Sequence, residues 1–102
     1  AKDKHLQMHT DAFMFSSDTT TRVEMKLGQL SYNILAEEYP RAVNHAEQLD
    51  KAHWMLSLEV CSYIGIGRFV LGLFDDIEVV GDEGFVLYLK EKLKKFNAMA
   101  NA

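Results

Sequence analysis

Polar and apolar residues alternate strictly over Arg22–Leu27, RVEMKL, with Val23, Met25 and Leu27 on one side and Arg22, Glu24 and Lys26 on the other. That is the period of a half-buried strand. The spacing then lengthens. Leu27, Leu30, Ile34 and Leu35 recur three and four apart and predict a helix over about Gly28–Glu38. Pro40 stops it, because the residue before a proline is biased away from helical geometry. Ala42–Leu49 and Ala52–Ser62 are β-prone runs around the polar pair Asp50-Lys51 and read as a hairpin. In the second run Trp54, Leu56, Leu58 and Val60 form the apolar side. From residue 63 to 74 the period changes again, and Ile66, Phe69, Val70 and Leu73 make a helical stripe closed by Asp75-Asp76. Ile77–Val80 is a short strand, and a last helix is expected over about 83–97 with Val86, Leu89, Leu93 and Phe96 inward.

The order is strand–helix–strand–strand–helix–strand–helix. Right-handed crossovers and a central hairpin fold such an order into an α+β sandwich, the ferredoxin-like split βαβ (βαββαβ), here with an added C-terminal helix. The helices are expected on one face of the sheet. Residues 1–20 read as an arm or linker from a preceding domain, 21–97 as the domain itself and 98–102 as a tail. The first residue is not Met, and the chain reads as a piece of a longer protein.

Composition narrows the picture without changing it. The 102 residues are 48% hydrophobic and 25% charged, which suits one globular domain. A formal net charge of −4 gives no whole-chain attraction to nucleic acid or to an anionic membrane. No apolar run approaches the roughly 20 residues of a membrane helix. The lone Cys61 permits no intrachain disulfide and fits a reducing compartment, so a cytoplasmic location is expected.

The run VEMKLGQLSYNILAEEYP, followed after the hairpin by WMLSLEVCSYIGIGRFVLGLFDDIEVVGDEGFVLYLKEKLKKF, resembles the C-terminal extension domain of WYL-family bacterial transcriptional regulators. Carrying the resemblance are the V-x-M-x-L strand before a helix, the long apolar strand and the I-G-R-F-V-L-G helix. The acidic turn, the I-x-V-V strand and the lysine-rich final helix complete it. The family often has Pro after its last strand, where this chain has Gly81-Asp82. The resemblance implies a non-catalytic regulatory module, tied to dimerisation and sometimes to effector binding. DNA would be read by a helix-turn-helix domain that is not in this sequence. It implies a homodimer; a nucleic-acid or small anionic effector is a further expectation, from Arg68, and no cofactor is expected.

Among candidate residues Gly65, Arg68 and Gly72 line up at three- and four-residue spacing on the helix face opposite the Ile66 stripe. Two glycines flanking a forked donor suit a subunit contact or an anionic effector; the plainer reading is a solvated arginine. Phe13, Met14 and Phe15 form an apolar knot in the arm. It anchors either on this chain or, swapped, on a partner subunit. His5 and His9, with Asp11 behind, have a spacing that can hold zinc on a helix, but exposed arm histidines explain them as well, and no metal is expected. Cys61 has no readable base and is taken as structural. Asp75-Asp76 is expected to be a solvated turn, Asp82 a cap for the last helix, and Lys90, Lys92, Lys94 and Lys95 a solvated helix end. The open sheet face lacks the aromatics of an RNA-recognition surface. A free-standing ferredoxin-like sensor of small molecules is the alternative to the regulator module.

Overall fold

The computed structural model describes residues 9–100. Two short strands, β1 (His9–Thr10) and β2 (Ser16–Ser17), pair as a small antiparallel hairpin in the arm. The main sheet has four strands in the order β4-β5-β3-β6, formed by β3 (Thr21–Leu27), β4 (Ala46–Asp50), β5 (His53–Val60) and β6 (Ile77–Val79). Every neighbouring pair is antiparallel. The helices α1 (Gln29–Glu38), α2 (Tyr63–Gly72) and α3 (Glu83–Ala100) complete an α+β domain.

The alternation read in the sequence decides which face is covered. Val23, Met25 and Leu27 of β3 and Trp54, Leu56, Leu58 and Val60 of β5 are all buried. Their register sets Val23 opposite Leu58 and Met25 opposite Leu56, so one sheet face is continuously apolar. Leu35 of α1, Ile66, Phe69 and Val70 of α2, and Phe85 and Leu89 of α3 join the same core cluster. Tyr32 stacks on Trp54 with ring centroids 4.1 Å apart, fixing α1 to the end of β5.

Three expectations are corrected. Residues Ala42–His45 form a 3₁₀ turn, and β4 begins only at Ala46. The reason is local: Ala42 is fully buried and donates its N–H to the Tyr39 carbonyl at 2.9 Å, so the chain closes a turn before it can join the sheet. In α1, Ser31 rather than Leu30 turns inward, and Leu30 is exposed. In α3, Leu93 and Phe96 are 51% and 66% exposed rather than inward. Its 18 residues make a rod about 27 Å long at 1.5 Å per residue. Only the first half reaches the core; residues 90–100 are all exposed.

Candidate functional site

The arm is bound to the domain by one carboxylate. Asp11 is 5% exposed, and it accepts three backbone N–H groups. Phe13 and Phe15 donate to Oδ1 at 2.9 and 3.0 Å, and Cys61 donates to Oδ2 at 2.8 Å. The first two close the turn between β1 and β2, and the third fastens that turn to the end of β5. Cys61 reinforces the join by donating its thiol to the His9 carbonyl at 3.3 Å. A buried carboxylate is tolerated because each donor offsets its lost hydration.

This turn aims Phe13 into the domain. Its ring lies 4.5 Å from Tyr39 and 6.5 Å from Phe69, centroid to centroid, and the side chain is buried. Phe15 is half-buried beside it, while Met14 points outward at 71% exposure. Met14 also has φ of 68°, the left-handed region that the tight turn demands. In this chain, therefore, Phe13 and Phe15 cover the chain's own α2, while the exposed Met14 contacts Arg41 through its sulfur at 3.7 Å.

The Gly65, Arg68 and Gly72 face divides along its length. Gly65 lies under the arm: a Cβ there would sit 2.5 Å from Phe13 Cβ and 3.0 Å from the Phe15 ring. Gly72 faces open space, with nothing within 4 Å of a Cβ. Arg68 is exposed between them. With Gly72 and Glu38 it borders a groove of about 250 Å³ between α1 and α2, whose floor includes Ile34, Phe69 and Leu73.

Two carboxylates have structural duties beyond those read in the sequence, which gave Asp76 as a solvated turn residue and Asp82 as a cap for the last helix. Asp76 is not a solvated turn residue: its Oδ2 accepts the Ser31 N–H at 2.6 Å, and its carbonyl accepts the Gly28 N–H at 2.9 Å. It thus caps α1 from a residue distant in sequence, brought alongside by the pairing of β6 with β3. Gly28 is required there, since a Cβ would lie 2.8 Å from Asp76 Cγ. Asp82 opens α3 through its carbonyl, which accepts the Phe85 and Val86 N–H groups. Its side chain instead accepts the Tyr63 hydroxyl at 2.8 Å. Burial pushes the Tyr63 phenol above its usual pKa, and the bond to Asp82 adds to the rise. Gly67 makes room for the same cluster, because a Cβ would meet the Tyr88 ring at 2.7 Å.

The histidines stand apart. His9 lies in β1, and His5 lies outside the described residues. His53 pairs with Asp50, Nδ1 to Oδ1 at 2.9 Å, across the β4–β5 turn. The Ala52 N–H and then His53 hold the Asp50 carboxyl below its usual pKa. Among the described residues no group of three or more His, Cys, Asp or Glu side chains is placed to hold a metal ion. No described helix is long and apolar enough to cross a membrane. The chain matches no protein-family model, no curated protein and no solved structure.

Proposed function

We infer that this domain is a non-catalytic regulatory and dimerisation module of a WYL-type DNA-binding regulator, with ferredoxin-like topology. The strand order β4-β5-β3-β6 with antiparallel neighbours supports that topology, since it sets the split βαβ pairs on either side of two central strands. The observation that carries the dimer is the outer half of α3. Leu93, Phe96 and Met99 are 51%, 66% and 69% exposed, at three-residue spacing along one side of the helix. Apolar surface of that kind on a helix that outruns its own core fits burial against a second copy. DNA contact would belong to a helix-turn-helix domain outside this sequence, and the module's part would be to hold two subunits in register.

Sedimentation equilibrium tests the dimer. The chain is expected to dimerise, and the double variant Leu93→Glu/Phe96→Glu to be monomeric with an unchanged circular dichroism spectrum, because both side chains are exposed in the single chain. A chain that stays monomeric at about 1 mM, where even weak self-association is populated, overturns it.

The free-standing sensor reading draws on a different observation, a polar cavity between the arm and the sheet. That cavity also serves the effector-sensing role of the regulator reading.

A further inference from the structure

The geometry points to that cavity as a binding site for a small organic phosphate monoester, held by Arg22 and Arg41. This inference rests on the sensing part of the proposed function and is independent of the dimer.

The cavity arises from the way β4 ends. Its pairing with β5 stops at Ala46 and Leu56, so residues 57–60 of β5 have no strand on that side. The 3₁₀ turn diverges there and brings Arg41 and His45 to one wall; Arg22 and Ser57 of the sheet form another. Thr10 and Asp11 of the arm close the end, because Asp11 is tied to the Cys61 N–H. The space is open to solvent on one side and measures about 310 Å³, at the lower end of small-molecule sites and larger than a bare phosphate.

The unused hydrogen-bond donors there belong to two arginines, which face the carboxylates of Asp11 and Glu59 in the same lining. Arg41 contacts only the Met14 sulfur, at 3.7 Å, among the described residues. Arg22 directs its Nε towards Glu24 at 3.6 Å, which leaves both terminal nitrogens. The oxygens of the nearby carboxylates already hold hydrogen bonds within the protein, although these neutral donors do not cancel their charge. Asp11 accepts three backbone N–H groups, Glu59 accepts the Thr20 hydroxyl, and Glu24 accepts the Ser57 hydroxyl at 3.2 Å. Two guanidinium forks with unused donors match the oxygens of a phosphate dianion, which arginine binds in bidentate fashion. The second oxygen of Glu59 remains as an acceptor for a hydroxyl on the organic part. A ligand seated here touches the arm and the sheet together. Binding therefore favours the docked arm over a released one.

An amide NMR titration of the whole chain, carrying Leu93→Glu/Phe96→Glu so that self-association plays no part, tests the site. The probes are inorganic phosphate, adenosine 5′-monophosphate and adenosine. Both phosphate-bearing probes are expected to shift the signals of Thr10, Arg22, Arg41 and His45 in a saturable way, and adenosine to shift none of them. Arg41→Ala and Arg22→Ala should each weaken binding about tenfold or more, the loss expected for a charge-assisted hydrogen bond. Lys51→Ala, an exposed cation in the β4–β5 turn, should leave it unchanged. The proposal is overturned if neither phosphate-bearing probe shifts these signals up to about 10 mM. It is equally overturned if adenosine binds as tightly as its monophosphate, or if Lys51→Ala weakens binding as much as Arg41→Ala. Each readout is taken on the monomer, so a failure here leaves the sedimentation result untouched, and the reverse.

Discussion

Helices α1 and α2 are both ten residues long, and both follow a strand of the same sheet, yet they are started by opposite means. Ser62 caps α2 from the adjacent position, its side chain accepting the Ile64 N–H at 3.1 Å. At the corresponding place α1 has Gly28, which has no side chain to offer, and the cap comes from Asp76, 45 residues beyond the Ser31 whose N–H it accepts. The orphan N–H groups of a helix start need acceptors, and the chemistry is indifferent to how far away along the chain they come from. What differs is the stake. Ser62 stabilises one helix end. Asp76 joins α1 to the α2–β6 connection, so its loss affects two elements.

That difference can be measured. Asp76→Ala should be the most damaging change, lowering unfolding free energy by about 2–3 kcal/mol in urea titrations, because it removes a cap and strands the N–H of the buried Ser31. A loss no larger than that of Ser62→Ala would break the comparison.

Gly65→Ala comes next, at about 1–3 kcal/mol, the usual range for forcing a methyl into a packed contact. Its signature should be the arm, with faster hydrogen exchange at the Cys61 amide as Asp11 lets go. Gly72→Ala, whose methyl meets nothing, should leave that amide protected. Equal exchange in the two variants would mean that the arm is not held through Gly65. Ser62→Ala should be the mildest loss, about 1 kcal/mol.

The sheet and the inner faces of its helices were legible because they depend on periods. Alternation identified Val23, Met25 and Leu27, and a 3.6-residue stripe identified Ile66, Phe69 and Val70; all six are buried. α3 shows the limit of the same reasoning. Its stripe runs on through Leu93 and Phe96, but a period says which residues share a side and not whether anything lies opposite them. The α1–β4 connection shows another limit, since a β-prone composition at Ala42–His45 gave way to a turn that buries Ala42.

The candidate sites were less legible. Arg68 was visible as a forked donor between two glycines, but spacing could not reveal that Phe13 occupies one of them. The cavity with Arg22 and Arg41 had no sequence signal at all. Its residues come from the arm, two strands and a 3₁₀ turn, and no local pattern connects them.

By itself the sequence determined the four main-sheet strands, the three helices, their order and the apolar face of the sheet, since these follow from local spacing and from the cost of exposing hydrophobic side chains. Tertiary structure alone decided which acceptor caps α1, that Phe13 covers Gly65, that α3 extends past its core, and that two arginines share one cavity. Each of these depends on groups far apart in sequence, whose distance is set only when the chain has packed.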